Sequence, residues 1–231
     1  HFKIVKGLIP VADQNPILTQ LKLLMNDLED LLQGVMALKE LSLQSKDLIV
    51  SFGERCSSIL VGAILQQHLD KVEVINSANY IVTDSQFGNA QVHLEQTNSN
   101  LQSLKEQLKT SVLVVTGFIA ANEESRMTTL GRGGSDYTAS LIGAALDADA
   151  IEIWTDVDGI MTADPRIVRK TFTLDSLSYT EAMELSYFGA KVIYPPTMAP
   201  AMKKQIPIVI RNTFNAQHRG TVIQPVAEPT N

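Results

Sequence analysis

The chain is poor in cysteine, poor in aromatic residues and has no excess of positive charge. Cys56 is the single cysteine among 231 residues, which excludes an intrachain disulfide and suits a reducing compartment. It lies in the apolar run Cys56-Ser57-Ser58-Ile59-Leu60-Val61 with no histidine placed as a base partner, the setting of a buried, inert thiol. Lysine and arginine total 19 against 25 aspartates and glutamates, a formal net charge of -6. That balance argues against non-specific nucleic-acid binding, which needs a basic face for the phosphate backbone, so no nucleic-acid partner is expected and any phosphate site must be local. No uninterrupted apolar run reaches the roughly 18 residues of a membrane span, and His1-Phe2-Lys3-Ile4-Val5-Lys6 lacks the layout of a signal peptide. A cytoplasmic protein with no membrane partner is expected.

What is present is an ordinary globular composition, with 45% hydrophobic and 19% charged residues, and enough length for one large α/β domain. Asn15-Pro16 predicts a helix start, and Leu21, Leu24, Leu28, Leu31, Val35 and Leu38 form a seam spaced by three and four. The seam predicts one arm of a helical hairpin or a helix packed against the body, an insert over about residues 15–45. From residue 47 short apolar runs alternate with helical patterns. Strands are expected at Leu48–Phe52, Val72–Ile75, Tyr80–Val82, Val112–Thr116, Ala150–Thr155 and Ile206–Ile210. Helices are expected at Glu54–Leu69, Leu94–Leu108, Tyr179–Phe188 and Thr197–Lys204. Alternation of this kind implies a mostly parallel sheet covered by helices, an αβα sandwich whose ligands sit at the carboxyl ends of the strands.

The stretch Leu130-Gly131-Arg132-Gly133-Gly134-Ser135-Asp136-Tyr137 runs from a polar loop into an apolar-periodic helix. Glycines allow close backbone approach, Ser135 or Asp136 can cap the helix, and the helix start favours an anion. Arg132 adds a planar fork suited to a carboxylate or phosphate. The stretch matches neither the Walker loop nor the dinucleotide fingerprint. Ser51-Phe52-Gly53-Glu54 places a carboxylate where an ammonium could bind, though a dipole-favoured helix glutamate is the plainer alternative. Gly117, after the Val112–Thr116 run, allows either a ligand or a tight turn. Asp156-Val157-Asp158-Gly159 lacks the later glutamate of a calcium loop, so no metal site is expected there. Lys191, between Ala190 and Val192, needs an anionic partner unless it snorkels to water.

Together, Ser51-Phe52-Gly53-Glu54, Thr116-Gly117-Phe118, Thr129 to Tyr137, Trp154-Thr155-Asp156-Val157-Asp158-Gly159, Asp164-Pro165-Arg166 and Phe188-Gly189-Ala190-Lys191-Val192 resemble aspartokinases of the amino-acid kinase superfamily. Glu181-Ala182-Met183-Glu184-Leu185-Ser186-Tyr187 and the insert helix look most like the kinase portion of bifunctional aspartokinase/homoserine dehydrogenases. The resemblance covers about His1 to Ile223. It implies transfer of the ATP γ-phosphoryl to the β-carboxylate of L-aspartate, early in lysine, threonine and methionine biosynthesis. It also implies Mg2+ carried on the nucleotide, and a homo-oligomer.

Carried over by motif, Glu54 takes the aspartate ammonium and Arg132 a substrate carboxylate. Thr155, Asp156, Met161, Arg166, Lys191 and Val192 line the nucleotide. Asp136 and Lys191 act at the transferred phosphoryl, and Gly117, Gly131, Gly133, Gly134 and Ser135 form the phosphate loop. The family's opening strand with Lys-Phe-Gly-Gly-Thr has no counterpart. Met161 stands where a tyrosine is common, and Glu124-Ser125 replaces a glycine-containing hairpin. The expectation is therefore a piece of a longer chain: residues 1–224 a catalytic domain without its first strand, crippled as it stands, and 225–231 a linker. Rival readings are another amino-acid kinase, or a non-catalytic nucleotide-binding module.

Overall fold

The structure is a computed structural model that describes residues 1–163, 167–168, 170–188 and 193–227. The chain divides into two compact units, His1–Ser135 and Asp136–Asn231.

The first unit opens with α1 (Phe2–Leu8), α2 (Val11–Leu38) and α3 (Leu43–Leu65). Helix α2 begins at Val11, with Pro16 inside it, and not at Asn15. The entry is set by α1, because Val5 and Ile9 share a buried cluster with Leu21, Cys56 and Leu60, which turns the chain at Pro10. Leu21 is buried and Leu24, Leu28, Leu31 and Val35 are half-buried between exposed neighbours, while Leu38 at the end is exposed. The seam thus faces α3, and the two helices form the expected hairpin.

The clearest departure from expectation is Leu48–Phe52, which is helical. Ser42 caps α3 by accepting from the Ser45 N–H at 3.1 Å. Beyond it Asp47, Ser51, Phe52, Cys56, Leu60 and Ala63 recur at helical spacing on the buried side. A five-residue run with four apolar residues cannot by itself distinguish strand from helix, and the polar residues Asp47 and Ser51 complete the stripe. By length and composition α3 is apolar enough to cross a membrane. It carries Asp47, Glu54 and Arg55, however, and packs on α2, β1 and β5 as a core helix.

The strands of this unit are β1 (Val72–Ile75), β2 (Val82–Thr83), β3 (Val112–Val115), β4 (Ile119–Asn122) and β5 (Met127–Thr129). β1 and β3 pair in parallel, as do β2 and β4, while β4 and β5 form an antiparallel hairpin. The polar helix expected over 94–108 is two, α4 (Leu94–Gln102) and α5 (Lys105–Leu108). They are separated where the buried Leu101 and Leu104 turn inward.

The second unit carries most of α6 (Gly134–Leu146), then β6 (Ile151–Thr155), β7 (Ser176–Ser178), α7 (Tyr179–Phe188), α8 (Ala199–Lys204), β8 (Ile208–Asn212) and β9 (Thr221–Gln224). Its sheet runs β6-β8-β9-β7, parallel at β6–β8 and β7–β9 and antiparallel between β8 and β9. Ile151, Ile208, Ile210 and Ile223 are buried beneath Ala144, Ala182 and Ala201 of α6, α7 and α8. The α/β reading with mostly parallel pairing holds. β4, β5, β7 and β9, each four residues or fewer, are too short to stand out as apolar runs.

Candidate active site

In the first unit two turns meet at backbone distance. Gly117 follows β3, and a Cβ placed there would sit 3.0 Å from the Ser135 Cβ. A Cβ on Gly134 would lie 2.8 Å from the Phe118 ring and 3.2 Å from its Cα. A side chain would crowd the facing turn at both positions, more severely at Gly134. Gly131 and Gly133 are needed for a different reason, φ values of 69° and 68°. Phe118 itself adopts φ 68°, a conformation a bulky residue holds only where its surroundings impose it.

Those surroundings are polar and buried. Thr116 Oγ1 accepts from the Ser77 N–H at 2.8 Å, and Ser77 Oγ, 2.8 Å from Thr116 Oγ1, donates to the Ile119 carbonyl at 2.6 Å. Beside the turn stands Glu54, which accepts from the Gly117 N–H, while burial pushes its carboxyl above the usual carboxylate range and outweighs that bond. Glu54 is on the fourth turn of α3 and not at the mouth of a helix following a strand, because the strand expected before it does not exist. Arg132 is exposed on the glycine-rich loop. The helix beyond begins at Gly134, so Ser135 and Asp136 lie inside its first turn and are not its cap. An acidic residue there still meets the favourable end of the helix dipole. Burial raises the Asp136 carboxyl above its ordinary range.

In the second unit the corresponding segment leaves the end of β6. Thr155 Oγ1 donates to Asp156 Oδ1 at 3.2 Å, and Asp156 is exposed. Asp158 serves the fold: it accepts from Asn212 Nδ2 and Asn215 Nδ2, each at 2.9 Å, and those bonds hold its carboxyl below the usual range. Gly159 has φ 142°, and the next N–H, of Ile160, donates to Thr221 Oγ1 at 2.8 Å. Thr221 Oγ1 in turn donates to the Leu174 carbonyl at 2.6 Å. Met161, half-buried, bridges to Thr173. Arg166, Lys191 and Val192 lie outside the described residues.

Glu54, Gly117, Gly131, Arg132, Gly133, Gly134 and Ser135 thus fall in the first unit, and Asp136, Thr155, Asp156 and Met161 in the second. Sequence reasoning missed the groups that hold them: Ser77, Thr221 and the asparagines on Asp158. No motif marks such residues, whose partners lie far along the chain. Among the described residues no group of three or more His, Cys, Asp or Glu could hold a metal ion.

The parallel-rich α/β fold places glycine turns and a helix start beside its strands. The chain belongs to the amino acid kinase family, whose profile matches residues 10–212. It is 40% identical over 199 residues to a bifunctional aspartokinase/homoserine dehydrogenase of Buchnera aphidicola, covering 86% of this chain and 24% of that protein. It is 37% identical to the chloroplastic aspartokinase 1 of Arabidopsis thaliana, covering 100% of this chain and 40% of that one. Among solved structures, E. coli aspartokinase III in complex with aspartate and ADP superimposes with a TM-score of 0.88 at 32% identity, over 98% of this chain and 49% of that one. The chain therefore spans between about a quarter and a half of the length of these relatives.

Proposed function

We propose that this chain is the kinase region of an aspartokinase, transferring the γ-phosphoryl of ATP to the β-carboxylate of L-aspartate, with residues 1–224 as the catalytic domain. The observation that carries the reading is the pairing, within one unit, of Glu54 on the Gly117 turn with the Gly131–Ser135 loop that presents Arg132. Glu54 takes the α-ammonium, whose positive charge offsets the desolvation that now raises the carboxyl. Arg132 takes a substrate carboxylate by its fork geometry. Gly117, Gly131, Gly133, Gly134 and Ser135 form the loop that lets the backbone come close to phosphate oxygens. Asp136 and Lys191 act at the transferred group, and Thr155, Asp156, Met161, Arg166, Lys191 and Val192 hold the nucleotide.

Phosphoryl transfer requires positioning and charge neutralisation more than covalent help, which suits loops of this kind. The aspartate and ADP held by the E. coli relative support both ligands. Mg2+ arrives on the nucleotide, the protein assembles as a homo-oligomer, and it works in an aqueous compartment such as the cytoplasm. Calorimetry tests the reading: L-aspartate binds in preference to L-glutamate, and Arg132→Ala weakens aspartate by about tenfold or more, the loss of a charge-assisted pair. Equal affinity for the two amino acids, or an unchanged Arg132→Ala, overturns it.

A further inference from the structure

The first unit also contains a buried carboxylate that this reading does not use. Asp47, on α3, is 2% exposed. Its Oδ2 accepts from the Gly88 N–H at 2.8 Å and the Thr129 N–H at 3.0 Å, and its Oδ1 accepts from Thr129 Oγ1 at 2.8 Å. Thr129 is the last residue of β5, the root from which Leu130 and the glycine-rich loop depart. Gly88 belongs to a loop that Asp84 Oδ1 ties by accepting from the Gln86 and Gln91 N–H groups, each at 3.0 Å. The same loop reaches β5 again through the Ala90 N–H, donated to the Thr129 carbonyl at 2.9 Å. Gly131 then passes against the Asn89 side chain and the Gly88 carbonyl, the latter 3.3 Å from an ideal Cβ.

Asp47 and Glu54 are seven residues apart on one helix, so they share a face and are separated by about 10 Å along the axis. Glu54 meets the Gly117 turn, and Asp47 meets the root of the glycine-rich loop. An ionised carboxylate accepts and never donates, which matches three donors that need nothing in return. An amide in its place would turn an NH2 group towards one of them. The bonds are directional, whereas apolar packing at the same point would fix a volume and not a backbone position.

We propose that Asp47 is a positioning residue for the amino-acid substrate: it sets the root of the glycine-rich loop relative to the helix carrying Glu54, and so the span between the groups that take the two ends of the substrate. This rests on the assignment of Glu54 and Arg132 to that substrate. The test uses the 231-residue chain with Asp47→Asn and, as a variant that keeps the carboxylate, Thr129→Val. L-aspartate and ATP-analogue affinities are measured by calorimetry well below each melting temperature, together with hydrogen exchange of the Gly131–Ser135 amides. The expected result is aspartate binding weakened about tenfold in Asp47→Asn and less in Thr129→Val, the scale of a small misplacement. Exchange at residues 131–135 quickens, and ATP-analogue affinity, which also draws on groups outside this loop, falls by less than aspartate affinity does. A lowered melting temperature with unchanged aspartate affinity and unchanged exchange would overturn the proposal. If the parent chain binds no aspartate, the substrate assignment has failed and exchange alone decides: faster exchange at residues 131–135 upholds the positioning role, and unchanged exchange ends it.

Discussion

The two units hold their candidate site segments by different physics. In the first, the Thr116–Phe118 turn and the glycine-rich loop are fixed by buried polar groups, namely Asp47, the Ser77–Thr116 pair and Thr83 with Thr128 at 2.8 Å. In the second, the Thr155–Met161 segment leaves a sheet anchored by Ile151, Ile208, Ile210 and Ile223, with Thr221 as a buried hydroxyl beneath it. Directional bonds specify where a backbone lies but fail badly when one partner is lost, because the others are left unmet in a low-dielectric interior. Apolar packing is forgiving of small changes in volume and specifies position less sharply.

That contrast can be broken by substitution. Asp47→Ala should have the largest effect: it strands the Gly88 and Thr129 N–H groups and the Thr129 hydroxyl, a loss of about 3 kcal/mol or more. Chemical denaturation of the chain would measure it, and a loss below about 1 kcal/mol, that of an ordinary exposed hydrogen bond, would erase the distinction between the units. Ile223→Val, at a fully buried core position of the second unit, should cost only about 1 kcal/mol. A larger cost would mean that the isoleucine layer is as unforgiving as the polar one.

Smaller still, and of opposite sign, is Ser125→Gly in the β4–β5 hairpin. Ser125 has φ 59°, so glycine should relieve a left-handed conformation and stabilise by up to about 1 kcal/mol, read as a rise in Tm. An unchanged or lower Tm would show that the flexibility gained in the unfolded chain cancels the relief.

The last prediction concerns pH. Burial raises the Glu54 carboxyl in the fold, only partly offset by the Gly117 N–H. Folding therefore favours its protonated form: that contribution is full below the ordinary carboxylate range and is lost as pH rises through the raised value. Glu54→Gln should accordingly gain in Tm relative to the parent as pH rises from about 4 towards 7, across the carboxylate range, while losing aspartate. Melting curves across that interval check it, and an advantage that shrinks with pH would contradict the desolvation argument.

Much of the candidate site is legible in the order of the residues alone. Gly131, Gly133 and Gly134 stand in an arrangement that few backbones need, and Val72–Ile75, the Val112 run and Tyr179–Phe188 are strand and helix as their patterns predict. Cys56 is the buried free thiol its setting implies. Leu48–Phe52 misleads because so short a run, apolar but for Ser51, carries no clear period. The short strands β4, β5, β7 and β9 leave no mark because a few residues show no alternation.

The alternation of helices and strands, the family and several candidate site motifs can be read from residue order, because they follow from local periodicity and from residues adjacent in the chain. The fold settles what holds those motifs: why Glu54 rides mid-helix, and why a Cβ at Gly117 or Gly134 would crowd the facing turn. It alone brought Asp47 to a threonine 82 positions away. Such bonds join residues whose separation along the chain bears no relation to their distance in space, so no period or motif records them.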